Sequence, residues 1–299
     1  MNSTRRGVML GGMGLLGCGL GAGTGQAAAQ AGGEIPGLRA KLAEIERRAG
    51  GRLGVGVFDA NTGRTAGHRL DERFPMYSTF KLLAAAAILQ RVDRGSEKLD
   101  RRIRFTREEV VTYSPETTKH VGGDGMTLAA ICEAGLTLSD NTAGNLMLGA
   151  IGGPPAITAF ARSVGDRESR LDRTEPTLNE VPPGEVRDTT TPGAFLQALR
   201  AVLLGDALSA ASREQLHAWL RANKTGDTRI KAGLPAGWRI GDKTGSGEAE
   251  NGNDVAILWP PEGKPVILCG YVYGANGGRD AVNAALAAVG AVVAESVVG

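Results

Sequence analysis

The chain has 299 residues, 42% hydrophobic and 22% charged, with a formal net charge of +2, the balance of a folded protein with room for one large domain or two closely packed lobes. So small a charge gives no footing for nucleic acid or acidic membranes, and no run of 18 or more apolar residues follows the N-terminal segment, so no spanning helix is expected in the mature chain. The three histidines, His68, His120 and His217, lack the spacing of zinc ligands, so no metal and no cofactor is expected.

In chain order, Arg5-Arg6 comes first, followed by a Gly/Leu-rich apolar run to about Gly25, and Ala27-Ala28-Ala29 offers a small-residue cleavage site. Thr4-Arg5-Arg6 ahead of that run reads as a twin-arginine export signal over residues 1–29, which places the mature chain, residues 30–299, in the periplasm. A general secretory leader is one rival. Leu15-Leu16-Gly17-Cys18 is another, because it resembles a lipoprotein box that would leave a lipid anchor on Cys18. Removing residues 1–29 takes away two arginines and no acid, so the formal charge falls from +2 to 0. Cys132 and Cys269 then remain, both in apolar runs, and buried free thiols are expected.

Ile35–Ala49 carries Leu38, Leu42 and Ile45 on one helical face, and Leu53–Phe58 and Arg64–His68 follow as two strands around the Asp59–Gly63 turn. Tyr77–Leu89 predicts a buried helix, apolar nearly all round, that stops at Asp93-Arg94-Gly95. A mostly helical middle continues through a helix starting at Thr127–Glu133, then Thr142–Ile151, Pro155–Val164, Thr191–Leu204 and Ser212–Ala222, with Thr191 and Ser212 as N-caps. Strands return at Trp238–Thr244, Asp254–Trp259 and Val266–Tyr273, and about Arg279–Val298 closes the chain as a helix. The pattern predicts an α+β fold: a five-stranded antiparallel sheet assembled from both ends, with the terminal helices packed on it, plus a mostly helical second lobe. The expected lobes are 34–75 with 223–299, and 76–222.

The polar residues of the buried helix stand out against this background. Ser78 and Lys81 are three apart and share a face. No carboxylate lies within four residues of Lys81, so its ammonium needs a remote partner or becomes a base. Ser139-Asp140-Asn141 sits between two helical runs, where its hydroxyl and amide could face a substrate or Asp140 or Asn141 could cap the next helix. Arg170–Asp188 has three prolines and no clean period, yet carries Leu171, Leu178, Val181 and Val186, which favour packing. Within it Glu175 precedes Pro176, which restricts its backbone, and Asn179 stands four residues on, where the pair could hold a water. Lys243-Thr244-Gly245-Ser246-Gly247 ends a strand with a cation, two hydroxyls and two glycines, a lining suited to a substrate carboxylate.

Taken together, Ser-x-x-Lys, Ser-Asp-Asn, Glu-x-x-Leu-Asn and Lys-Thr-Gly occur in this order across the whole mature chain. The sequence thereby resembles the class A serine β-lactamases. The resemblance implies a hydrolase acting on cyclic amides that destroys penicillins and cephalosporins. Ser78 would form an acyl-enzyme, helped by Lys81 directly or through Glu175 and a water. The backbone N–H groups of Ser78 and Ser246 would form the oxyanion hole, and Ser139 would pass a proton to the departing ring nitrogen. Asn141 would bind the side-chain amide of the substrate, and Lys243, Thr244, Gly245 and Ser246 would line the site for its carboxylate, supported by Arg229. Tyr113 would wall the pocket mouth. Glu175 and Asn179 would activate the hydrolytic water, Arg173 and Asp188 would close the loop neck, and the Glu175–Pro176 bond would be cis.

The resemblance also has gaps. Cys132 matches one half of a family disulfide whose other position is Ala85, and the bridge of carbapenem-hydrolysing members is absent, since its positions are Tyr77 and Gly247. Ser246 and Arg229 lean toward a cephalosporin-tolerant pocket. The alternatives are a penicillin-binding D,D-peptidase, which lacks a counterpart of Glu175, and a covalent β-lactam sensor, which needs a membrane-spanning part. A monomer whose partner is the small-molecule β-lactam is expected.

Overall fold

In a computed structural model, which describes residues 35–298, strands from both ends of the chain join in one sheet. The signal expected over 1–29 and the Cys18 lipid site lie outside the described residues. The elements are α1 (Leu38–Ala49), β1 (Arg52–Asp59), β2 (Thr65–His68), β3 (Phe74–Pro75), α2 (Phe80–Asp93), β4 (Arg102–Ile103), β5 (Met126–Thr127), α3 (Leu128–Thr137) and α4 (Asn141–Ile151). They continue with α5 (Pro154–Ser163), β6 (Thr189–Thr190), α6 (Pro192–Leu203), α7 (Ala210–Arg221), β7 (Arg239–Ser246), β8 (Gly252–Trp259), β9 (Val266–Tyr273) and α8 (Gly278–Val298).

The main sheet is antiparallel in the order β2-β1-β9-β8-β7, and Arg52 at the start of β1 lies opposite Tyr273 at the end of β9. Its central strands are buried on both faces, and their alternation divides the core in two. Val266, Leu268 and Val272 of β9 join Ala256 and Leu258 of β8 under α1 and α8. Ile267, Cys269 and Tyr271 face the middle helices together with Val255 and Ile257. β1 solves the same problem with glycine on one face. A Cβ on Gly54 would meet the Phe74 ring at 2.5 Å and Pro192 at 2.8 Å, so its absence lets α6 lie against the strand.

α8 is long and apolar enough on composition alone to cross a bilayer, yet Val282, Leu286, Val289 and Val293 are buried against the sheet and α1. On the other side α2 buries every residue from Phe80 to Leu89, with α3, α4, α5 and α7 packed around it. The Cys132 and Cys269 thiols are free and buried, as their apolar surroundings led one to expect.

Three local expectations are corrected. The N-cap of α7 is Ser209, whose hydroxyl accepts from Ser212 N at 3.2 Å; Ser212 lies within the first turn. β8 begins at Gly252, ahead of Asp254, because the β7 register carries it back to Ser246. Two short pairings, β3 with β6 and β4 with β5, were not foreseen. The first matters for the site, since it and the bond from Met76 N to Asp188 O at 2.9 Å tie the approach to Ser78 to the end of the 170–188 loop.

Candidate active site

Ser78 stands on a 3-10 turn, Tyr77–Thr79, that runs directly into α2, and Lys81 follows on the first turn of that helix. Two neighbours fix this turn. Asn253 of β8 donates to the carbonyls of Pro75 at 2.7 Å and Met76 at 3.2 Å. Gly245 of β7 passes so close that a Cβ there would sit 3.0 Å from both Met76 O and Tyr77 Cβ. Tyr77 is held at φ 46°, a left-handed conformation that costs a side-chain-bearing residue about 1–3 kcal/mol and persists only where surroundings over-determine it. Ser139 and Tyr113 share this feature at φ 58° and 63°, so three of the strained residues flank one cleft.

The carboxylate partner that Lys81 lacks in sequence comes from the 170–188 loop. Lys81 Nζ lies 3.0 Å from Glu175 Oε1, and both side chains are fully buried. The same nitrogen donates to Ser78 Oγ at 2.9 Å, Ser139 O at 3.0 Å and Asn141 Oδ1 at 2.8 Å. Four oxygens therefore compete for the three hydrogens of an ammonium. Burial pushes the Lys81 amine down from its ordinary value, while the Glu175 charge opposes the fall. Ser78 Oγ in turn donates to Glu175 Oε1 at 3.1 Å.

Glu175 is held from both ends. Asn145 of α4 accepts from its N–H at 2.9 Å and donates to its carbonyl at 2.9 Å. Asn179 donates to Oε2 at 2.6 Å, and the Asn179 Oδ1 is buried without a donor among the described residues. The loop neck is closed by Arg173 and Asp188 at 2.6 Å, with Asp188 also accepting from the N–H groups of Asp172 and Arg173. The Glu175–Pro176 bond is cis.

A cavity of about 350 Å³ brings Ser78, Ser139 and Asn141 to face Thr244 and Ser246, with Tyr113 at its edge. Tyr113 is 57% exposed, and its carbonyl accepts from Asn141 N at 2.9 Å. Lys243 lies buried beneath the cavity, donates to Ser139 Oγ at 3.0 Å and to Thr244 O at 2.7 Å, and so joins the two walls. Burial pushes its amine well below the ordinary lysine range, and the Lys81 charge adds to the fall. Arg229 donates to Ser246 Oγ at 2.7 Å and to the carbonyls of Gly245 and Asn253 at 2.8 Å and 2.6 Å. Behind them Asp242 and Asp254 are buried, and desolvation pushes both carboxyls up.

The residues expected to catalyse or bind substrate thus fall in one constellation. Asp140 takes the capping role, accepting from Ala143 N at 2.8 Å, while its carboxylate also holds Glu116 and Thr117 of the facing loop. Asn145, Thr225 and Asn253 were not foreseen. Thr225 hydrogen-bonds the Thr244 hydroxyl and lines the cavity. Only Asn145 had a usable signal, since it falls one helical turn after Asn141 on the same face of α4.

The sequence model of the β-lactamase enzyme family matches residues 37–297. β-Lactamase FAR-1 of Nocardia farcinica is 51% identical over 248 residues, covering 83% of this chain and 79% of that protein. β-Lactamase OXY-2 of Klebsiella oxytoca is 47% identical over 78% of this chain and 80% of its own. Among solved structures, an ancestral (GNCA) class A β-lactamase superposes with a TM-score of 0.84 at 59% identity, over 86% of this chain and 99% of that one. A class A β-lactamase named PenP from Rhodopseudomonas palustris gives 0.84 at 57%, over 86% and 98%.

Proposed function

The chain belongs to the β-lactamase enzyme family as a class A member that hydrolyses β-lactams and gives resistance to them, and we propose that it does so through a Ser78 ester cleared by a Glu175-activated water. The observation that carries this is the buried contact of one Glu175 oxygen with both Ser78 Oγ, at 3.1 Å, and Lys81 Nζ, at 3.0 Å.

In acylation Ser78 Oγ bonds to the lactam carbonyl carbon as its proton passes to Lys81 or Glu175, both within reach. The backbone N–H groups of Ser78 and Ser246 receive the developing oxyanion. The C–N bond breaks, and the proton taken from Ser78 is passed on to the ring nitrogen through the Ser139 hydroxyl, which leaves Lys81, Glu175 and Ser139 in their starting protonation states. Lys243, Thr244 and Ser246, with Arg229 behind, receive the substrate carboxylate, while Asn141 and Asn179 face its amide side chain. In deacylation Glu175 takes a proton from a water that attacks the ester carbon. The unpartnered Asn179 Oδ1 supplies the second acceptor such a water needs. The ester C–O bond then breaks, and Ser78 recovers its proton. Penicillins and cephalosporins are the substrates proposed.

Glu175 separates this scheme from a penicillin-binding peptidase or a covalent sensor, whose esters persist for want of a placed base. Residues 30–299 given excess chromogenic cephalosporin should release product steadily over many turnovers. One product per enzyme followed by silence would instead favour a stable acyl-enzyme. Glu175→Ala should show that burst and retain the drug's mass on Ser78 in intact mass spectrometry, with deacylation slowed by about 10²–10⁴. We further propose that the enzyme acts as a monomer in the periplasm, the export supported by the Thr4-Arg5-Arg6 segment.

A further inference from the structure

The hydroxyls that line the catalytic cavity differ in how their protons are fixed. Ser139 and Ser246 each accept from a group that can only donate, Lys243 Nζ at 3.0 Å and Arg229 at 2.7 Å, so their own protons stay free for a ligand. Ser78 gives its proton to Glu175. Thr244 is the exception. Its hydroxyl has one partner among the described residues, the hydroxyl of Thr225, and either oxygen of that pair can be the donor.

Thr225 is placed by its neighbours. Lys224 N donates to Thr137 O of α3 at 2.9 Å, which ties the segment to the helical lobe. On the other side a Cβ on Gly226 would collide with the Asp242 carboxyl, so the segment lies close against β7. Asn223 donates its side-chain amide to Asp242, which is buried. Its Oδ1 is left for Thr225, whose N–H reaches it at 3.0 Å and whose hydroxyl reaches it at 2.9 Å. A backbone N–H can only donate, so the Asn223 amide has one orientation here.

Two hydroxyl protons therefore serve three oxygens: Asn223 Oδ1, Thr225 Oγ1 and Thr244 Oγ1. With Thr225 donating to Asn223, Thr244 must donate to Thr225, and its lone pairs face the cavity. A carboxylate placed there meets no donor from Thr244. With Thr225 turned to donate to Thr244, the Thr244 proton is free for the cavity. Asn223 Oδ1 still holds the Thr225 N–H, so the reversal leaves no buried acceptor without a partner.

Resting on the β-lactam hydrolysis assigned above, we propose that Thr225 is a positioning residue whose hydroxyl reverses as substrate enters and makes Thr244 a donor to the ring carboxylate. The reversal exchanges a neutral bond, Thr225 to Asn223, for a charge-assisted one about twice as strong. An anion drives it, and a neutral ester drives it weakly.

Benzylpenicillin and its methyl ester test this, since they differ only at that group. Each kcat/KM is read from first-order decay at low substrate concentration, with enzyme in excess where the ester is slow. Lys243 and Arg229 favour the anion in every variant, so only the change in the acid-to-ester ratio reports on Thr225. In Thr225→Ala nothing draws the Thr244 proton away from the cavity, and the ratio should fall at least about fivefold, the worth of one neutral hydrogen bond. Thr225→Ser keeps the hydroxyl and loses the methyl group, and its ratio should stay within about twofold of the parent. An unchanged ratio in Thr225→Ala, or an equal fall in both variants, overturns the proposal and leaves the hydrolase standing. Absence of benzylpenicillin hydrolysis by the parent overturns the reading on which it rests.

Discussion

Lys81 is where the charge balance of the site is set, because burial lowers its affinity for a proton while Glu175 holds that proton in place. Replacing Glu175 with Gln removes the opposing charge, so the Lys81 pKa falls further and the free amine appears at lower pH. The acylation rate of Glu175→Gln, followed by stopped flow, should therefore begin its rise at a lower pH than in the parent, and a shift the other way would remove Lys81 from the role of base. Asn145 carries a different kind of weight. Asn145→Ala strips both backbone bonds from Glu175 and leaves buried groups unpaired, so stability should fall by about 2 kcal/mol in thermal unfolding, with deacylation slowed more than acylation. Ser78, Lys81, Ser139, Glu175 and Lys243 were legible because their chemistry shows in short spacings. Asn145 and Thr225 were not, because each acts on a partner 30 or 19 residues away; Asn145 left only its one-turn spacing from Asn141, and Thr225 no local pattern at all.

Among the elements, the loop that delivers Glu175 depends on its neck. Asp188 is fully buried and balanced by Arg173, so Arg173→Leu leaves an uncompensated charge and should cost about 3 kcal/mol. Hydrogen exchange should rise across residues 171–187 before it rises in α2. A second junction joins α1 to the β1–β2 hairpin through Glu46, which accepts from Leu53 N at 3.0 Å, His68 at 2.8 Å and Arg69 at 2.6 Å. Burial alone would raise the Glu46 carboxyl, but Arg69 and His68 outweigh it and bring it down to about 2. A depressed carboxyl stabilises the fold above its ordinary pKa, and that contribution is lost as pH falls from about 4.5 toward 2. Glu46→Gln should therefore lower the melting temperature at pH 7 and narrow the gap to the parent near pH 2. The long helices and strands were readable because each carries its own period. The β3–β6 and β4–β5 pairs were not, since two residues hold no period and gain one only from a remote partner. At α7 the expected cap, Ser212, lies inside the helix, and the hydroxyl of Ser209 takes the role with Asp93 as its own acceptor.

Over the whole molecule, one sheet separates two apolar cores, and both thiols lie within the core shared with the middle helices. Burial pushes the Cys269 thiol well up, and that of Cys132 as well, so neither forms a reactive thiolate near neutrality. A thiol reagent should label no cysteine of folded residues 30–299 and two after denaturation, and a reductant should leave the melting temperature unchanged. The sheet order carries a further consequence, for synthesis. β9 fills the centre of the sheet beside β1, yet the ribosome makes it after every other strand. The helix that follows Ser78 is therefore complete before β9 exists, while β8, already paired with the strand that carries Lys243, has nothing to pair with on its far side. A nascent chain arrested before Val266 has no partially working form. Catalysis begins only when the last strand slides between the first strand made and the one made just before it.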